Sequence, residues 1–599
     1  MLTFLAIKKS ILHVPARRLF QGSLSGFLLP TPPDIGDFAG PHGGYQFFFH
    51  DNHDLLLVTK DDNCYFYEID ENWEKYFDDN GREQAENTII RVIEDDVNLH
   101  LSSLDEMRDR YKDLLADFHC VNKTVYHVDV DLLDSNGKEF FLGFLTHQAS
   151  PSAEAELLLS TDDVNGCYAT VSTPLFKKSF QKRVRLRSFQ HESVRIMPTV
   201  RAAKDVSKEN KGIHVWATCE ISVIGYNSQQ NSQDAYLALP LDVLGKEYYV
   251  MTWEGNPQIL VIATRDNTVV TITLPTSTKG AASNVIQFTY QTQVYRAGST
   301  LRVTLQKFET FHIMQQDQVD LTGSRVTANH PISVITGNDK ASAVENVDGR
   351  SFLVEMMYPL QSWGQSFVLF NTTTIRRDGV WYKLLASEDS TKVTVVPALS
   401  GYARWSPALL QAGQSMVIRD VTEMHHLLAD KPVMVGVFTR YQESVGDTLG
   451  SLTMSLLAST SHYHSSFTWR PLTLRKRGDK TLLRFRDFLL LLMKTDSERS
   501  LMYDNTISYH MSMLWMNATP VLHRIIQRKP LSKFFALALG YAKSSNGTNL
   551  DTGYSYPVGL RLGRINDPEC PSRRLPMRPS DGLNNDCDSR TDEEMLNGL

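Results

Sequence analysis

One series of short segments returns along this chain in fixed order, and this limits the possible folds more than any bulk property. Ile221-Ser222-Val223-Ile224-Gly225-Tyr226-Asn227 comes back as Ile332-Ser333-Val334-Ile335-Thr336-Gly337-Asn338 and, more loosely, as Val433-Met434-Val435-Gly436-Val437-Phe438-Thr439. Pro240 and Gly245, leading into Tyr248-Tyr249-Val250, are matched by Pro359 and Gly364, leading into Phe367-Val368-Leu369. Ala263-Thr264-Arg265-Asp266-Asn267-Thr268 runs into Val270-Thr271-Ile272 as Ala386-Ser387-Glu388-Asp389-Ser390-Thr391 runs into Val393-Thr394-Val395. Ala297-Gly298 before a strand is echoed by Ala412-Gly413. The offsets are roughly 100 to 123 residues. One such match arises by chance; four in the same order mark an internal repeat.

The repeated segments are sheet-forming. Short runs of Val, Ile, Thr, Phe and Tyr alternate with turn residues from about residue 138 onward, an all-β signature. Asp-Asn-Thr and Asp-Ser-Thr between apolar runs suit β-turns, because Asp and Asn side chains hydrogen-bond nearby backbone. A unit of about 110 residues is the size of a β-sandwich, whereas a four-stranded propeller blade needs only ~45. The expected fold is therefore mainly β, with tandem β-sandwich-like repeats of about 110 residues. Leu157 to Thr173 and Phe534 to Leu562 read as eroded partial copies at the two ends. The stretch 472–505 mixes basic residues with a leucine run and reads as an insertion.

Before the repeats lie an N-terminal segment and linker, 1–45, rich in Gly and Pro over 22–45, and a small α+β unit, 46–130. Asp54 to Thr59 and Cys64 to Ile69, separated by Lys60-Asp61-Asp62-Asn63, predict a hairpin. Leu104, Met107, Tyr111, Leu114 and Phe118 fall at helical spacing, with Ser103 and Glu106 as a capping box. Met1 to Ile7 is apolar but precedes Lys8 and Lys9, the reverse of a signal peptide's charge order. The apolar run Phe488 to Met493 falls far short of the ~20 residues needed to span a bilayer. A net charge of −7 gives no footing for nucleic acid.

Six cysteines allow fifteen pairings. The pairing of neighbours, Cys64 with Cys120, Cys167 with Cys219 and Cys570 with Cys587, keeps each bond inside one segment; six reduced thiols remain the alternative. Sequons at Asn122, Asn371, Asn517 and Asn546 permit glycosylation on export.

At the repeat elements the chain resembles the IgGFc-binding protein N-terminal domain family. The residues that carry this are Ser222 to Asn227, Asp234 to Pro240, Leu244 to Val250, Ala263 to Pro275, Leu321-Thr322-Gly323-Ser324 with His330-Pro331-Ile332, and Tyr554 to Gly559. The resemblance runs over about 138–563, leaving 472–505 outside. It implies a secreted binding or adhesion module that meets extracellular proteins or glycoproteins of mucus or the cell surface, without catalysis. The tail 564–599 contains Asp581-Gly582-Leu583-Asn584-Asn585-Asp586-Cys587-Asp588, which looks like a short acidic motif of secreted proteins. The resemblance implies Ca²⁺ held by Asp581, Asn585, Asp586, Asp588, Asp592 and Glu593, oxygen donors of the kind a hard cation takes; Ser589 replaces the motif's usual Gly. No other cofactor is expected. Residues 46–130 look a little like a BRICHOS domain, which implies a chaperone role for that unit.

Catalytic signatures were sought against this reading. His462 and His464 form an H-x-H pattern that on a strand would aim both rings to one face, and surface histidines on a β-ribbon are the expectation. His425 and His426 point oppositely on a strand, and His191-Glu192 lacks the second histidine of a zinc protease motif. A hydrolase hidden in the β scaffold is the competing hypothesis. It predicts one deep pocket with clustered titratable groups.

Overall fold

The computed structural model describes residues 135–565 apart from several internal gaps. It gives only the backbone course of six short strands between 46 and 127 and of four between 501 and 527. Among the early strands, Leu55–Lys60 pairs antiparallel with Asn63–Glu68. Most of the expected helix after Ser103 lies outside the described residues. Its two ends, Ser103 and Phe118, fall in the strands Ser102–Ser103 and Phe118–Val121.

From residue 137 the chain is almost wholly β, laid out as four copies of one topology: unit 1 (137–237), unit 2 (247–356), unit 3 (364–456) and unit 4 (466–557). Each unit has an antiparallel sheet with four strands counted outward from a common axis, to which Ser207–Glu209 adds a fifth at the outer edge in unit 2. In unit 2 these are Ser351–Met356, Ile332–Ala341, Gly255–Ala263 and Thr310–Met314. The inner strands of the other units are Ser232–Leu237, Thr453–Leu456 and Leu550–Pro557. Behind it lies a second sheet, which in unit 2 is Glu247–Tyr249, Arg325–Ala328, Thr268–Thr273 and Thr300–Leu305. In units 1 and 3 one long strand, Ile213–Gln229 or His425–Thr439, serves both sheets. In unit 2 Pro331, which has no N–H to give a ladder, separates the two halves.

Backbone hydrogen bonds fix the correspondence between units. The amides of Ala238, Met357, Leu457 and Val558 donate to the carbonyls of Val223, Val334, Val435 and Ala536 at 2.9, 2.8, 2.8 and 2.9 Å. This places the segments beginning at Ile221, Ile332 and Val433 in equivalent positions and adds a fourth copy beginning at Phe534. The third repeated element is equivalent as well. Asn267 and Ser390 both take left-handed backbone (φ 56° and 58°). The following Thr268 and Thr391 hydroxyls donate back to the carbonyls of Arg265 and Glu388.

The second element joins the ends of a unit. A Cβ on Gly137, Gly245 or Gly364, at the start of units 1 to 3, would lie 2.2, 2.4 or 2.2 Å from the Cβ of Pro240, Pro359 or Ser459, at the end of the same unit. We expect Gly245→Ala to cost about 1–3 kcal/mol by overpacking this contact, read as a lowered denaturation midpoint; an unchanged midpoint would remove the explanation.

Three sequence expectations change. Ala297-Gly298 and Ala412-Gly413 are not equivalent: Gly298 precedes the second-sheet strand Thr300–Leu305, whereas Gly413 precedes Ser415–Val421 of the first sheet. The counterpart of Gly413 is Phe308, which shares its positive φ (70° against 75°). Second, 472–505 is not an insertion. Phe485–Met493 is the third strand of unit 4, paired along its length with Phe534–Lys543. Phe488 to Leu492 are all buried, and a strand covered on both faces loses the alternation that marks a half-exposed one. The end segments are accordingly full units rather than eroded fragments.

Third, the size argument against a propeller counted one sheet per unit. The four inner strands pack in a cycle: Ser232–Leu237 touches Ser351–Met356 and Leu550–Pro557, and Thr453–Leu456 touches the same two. Each unit is thus two-sheeted, as a sandwich-like reading requires, while the four close into a propeller-like ring. A continuous apolar core runs through all four units.

Candidate functional site

The ring closes on one carboxylate. Asp234, on the inner strand of unit 1, is fully buried. Its Oδ1 accepts the amides of Ala235 and Ser555 at 3.0 and 3.0 Å, and its Oδ2 those of Val354 and Met454 at 3.3 and 3.4 Å. Those four amides occupy the same position in the four units, three residues before the marker amides above. One side chain therefore takes one N–H from every unit. Glu355 lies beside it, also buried, accepting the amide of Leu456 at 3.2 Å. Burial pushes both carboxyls well above the usual carboxylate range, and the charge of Asp234 raises Glu355 further. Hydrogen bonds draw both back, four amides on Asp234 and the Leu456 and Met356 amides with the Ser455 hydroxyl on Glu355.

Around the ring, serines stitch neighbouring units. Ser232 Oγ accepts the amide of Phe352 and Ser351 Oγ that of Leu452, each at 2.8 Å. Between units 2 and 3, Lys383 is 3% exposed. Its Nζ donates to Asp320 Oδ2 at 2.5 Å, the Thr252 carbonyl at 2.8 Å and Thr322 Oγ1 at 3.0 Å. It also lies 4.9 Å from the centre of a Trp253 ring that packs on Phe438. Burial opposes the charge of Asp320, but Lys383 and the Thr252 and Thr322 hydroxyls outweigh it and leave the carboxyl below its ordinary pKa.

Of the residues picked out in the sequence, Cys167 and Cys219 are disulfide-bonded across unit 1's second sheet, with Cα atoms 5.7 Å apart. Asn371 is partly buried at the end of a unit 3 strand. Cys64, Cys120, Cys570, Cys587, Asn122, Asn517, Asn546 and the calcium candidates Asp581, Asn585, Asp586, Asp588, Asp592 and Glu593 lie outside the described side chains. His462 and His464 are not on a strand: His462 closes the one-turn 3-10 helix Thr460–His462. The His464 ring is buried, with its pKa pushed down to about 4 by desolvation, so neither the strand geometry nor the surface reading applies to it. His425 is buried and His426 exposed. Among the described residues no His, Cys, Asp and Glu group has the makings of a metal site.

The buried acids serve packing. Asp487, pushed up to about 7 by burial, accepts the Tyr554 hydroxyl at 2.6 Å inside unit 4. Among the described residues an open surface hollow of about 560 Å³ lies beside Lys208, Glu209, Tyr290 and Glu309. Its Lys208 and Glu309 are paired at 2.7 Å, and Asp234, Glu355 and Asp487 lie elsewhere.

Among the described residues no helix is long and apolar enough to cross a membrane. Residues 234–519 match the family model described as IgGFc binding protein. The chain is also 28% identical over 246 residues to the IgGFc-binding protein of Homo sapiens, a match that covers 40% of this chain and 4% of that protein. The family match starts at the axial Asp234 and includes the stretch 472–505 that the sequence reading had set aside. The family match runs through units 2 and 3 and into unit 4, so this region is similar to the IgGFc-binding family.

Proposed function

We propose that this chain is an extracellular recognition module that acts by contact, binding proteins or glycoproteins of mucus or the cell surface through its turns and exposed sheet faces. The family match over 234–519 carries this reading, since the family is named for binding and not for a reaction. The Cys167–Cys219 bond supports an oxidising compartment. Antibody Fc, the ligand in the human relative's name, is the first partner to test.

The experiment is expression behind an added secretion signal, then binding of the purified chain to immobilised Fc and to mucin glycoproteins. Saturable binding to either supports the reading. Folding only under reducing conditions, with neither surface bound, would end it. In the secreted protein, Cys167→Ser should cost about 2–4 kcal/mol, seen as a lower denaturation midpoint that reducing agent no longer shifts through this bond. The calcium reading of Asp581, Asn585, Asp586, Asp588, Asp592 and Glu593 rests on the sequence alone; titration calorimetry with and without residues 566–599 tests it.

A further inference from the structure

The last strand of each second sheet is an edge: Lys177–Leu186 in unit 1, Thr300–Leu305 in unit 2, Ala408–Leu410 in unit 3 and Thr506–Ile507 in unit 4. Fold equivalence gives these four strands the same structural duty. Their charge differs sharply. Unit 1 carries Lys177, Lys178, Lys182, Arg183 and Arg185, with Arg187 just after, and no Asp or Glu among them. The unit 2 strand has Arg302 alone, and those of units 3 and 4 have no basic residue. All six side chains of unit 1 are exposed, and among the described residues none is ion-paired with a carboxylate. A net charge of −7 makes such a concentration stand out against the rest of the chain.

The outward face beside this strand is aromatic. Arg183 pairs in register with Thr170, and Thr170 with Trp216; Arg185 pairs with Tyr168. Tyr168 and Trp216 are 41% and 49% exposed, and the Arg183 guanidinium lies 4.3 Å from the centre of the Tyr168 ring. Glu139, at the far side of the face, is taken up by His214 at 2.8 Å. Guanidinium groups bind planar or tetrahedral anions through forked donors. Exposed aromatic rings beside them give an apolar surface for the C–H face of a sugar ring.

We propose that this face of unit 1 binds an anionic polysaccharide of the sulfated kind. Charges on an edge strand also prevent edge-to-edge pairing, and the edge of unit 1 is the longest of the four, but the six-residue edge of unit 2 meets the same need with Arg302 alone. An acidic peptide would add along the edge through backbone pairing, whereas Arg183, Trp216, Arg185 and Tyr168 lie on the face, crossing the strands. The proposal goes beyond the protein-partner reading, and its failure leaves that reading standing.

The test uses the full secreted chain, a heparin octasaccharide, its desulfated counterpart and a polyglutamate peptide of equal charge, with affinities measured by titration at several salt concentrations. We expect heparin to bind and to weaken as salt rises, with the desulfated sugar and the peptide at least about tenfold weaker, the scale on which several anion contacts act. Arg183→Glu with Arg185→Glu should lower heparin affinity by about tenfold or more, and Trp216→Ala severalfold with an unchanged salt slope. Arg302→Glu, on the equivalent strand of unit 2, should leave it unchanged. All sites are exposed, and thermal melts confirm folding. No binding by the native chain, an equal loss from Arg302→Glu, or equal affinity for polyglutamate would each overturn the proposal.

Discussion

Asp234→Ala should cost more than any other single substitution in this chain. It strands four buried amides, those of Ala235, Val354, Met454 and Ser555, at the point where all four units meet. Each buried unsatisfied donor costs about 1–3 kcal/mol, so the sum is on the order of 4 to 12 kcal/mol, comparable with the whole stability of a domain. The expected result is loss of secreted, folded protein, or a denaturation midpoint far below the native one. Asp234→Asn is the sharper test. It keeps the shape but sets an NH₂ donor against two amide donors, so it should fall close to the alanine variant. If it matches the native chain within about 1 kcal/mol, the four-amide account is wrong. Glu355→Gln should be milder, because its amide oxygen can still accept from Leu456 and burial already disfavours the charge that is removed. Its raised pKa has a definite sign: the stability it adds is complete below the ordinary carboxylate range and is lost as pH rises through the native value.

The same residue shows what the sequence could and could not reveal. Strand identity and order were legible because Ile221, Ile332 and Val433 sit in equivalent ladders, and repetition is visible without any structure. Asp234 was inside a segment picked out for its family resemblance, yet its role was hidden. Its equivalents are Leu353, Thr453 and Tyr554, so a search for sameness passes over a position where the units differ. The serine stitch left a readable trace in the sequence: Ser451 comes three residues before Met454, as Ser232 and Ser351 come three before Ala235 and Val354. Ala297-Gly298 misled because any turn with positive φ favours a Gly before a strand, and the true counterpart of Gly413 is Phe308, which takes the same backbone without being a Gly. Phe488 to Leu492 misled because burial on both faces erases period two. The propeller-like closure was out of reach, since length fixes how much sheet a unit holds and not how units are arranged.

Lys383→Ala should give the second-largest loss. The ammonium has three oxygen partners and an aromatic face, and the sequence offered no sign of it, because Asp320 and Lys383 belong to different units. Removing it leaves Asp320 near the core without its cation, at a cost of about 3–5 kcal/mol. Asp320→Asn strands the lysine and should cost a similar amount. The double variant Lys383→Met with Asp320→Asn separates pairing from packing: an apolar side chain of similar length fills the space beneath Trp253, and no unpaired charge remains. It should recover most of the loss, giving a strong coupling in the double-mutant cycle. Additive losses in that cycle would show that the two residues act through separate contacts. The acid limb of the stability curve offers a second check. The native pKa of Asp320 is depressed, so its contribution is present above the ordinary carboxylate value and is lost as pH falls through the lower native one. The double variant should lack that part of the acid sensitivity, while a variant at the axis, such as Glu355→Gln, should retain it. The joint between units 2 and 3 can thus be weakened by acid while the ring's central carboxylate pair, whose shift runs in the opposite direction, grows no weaker.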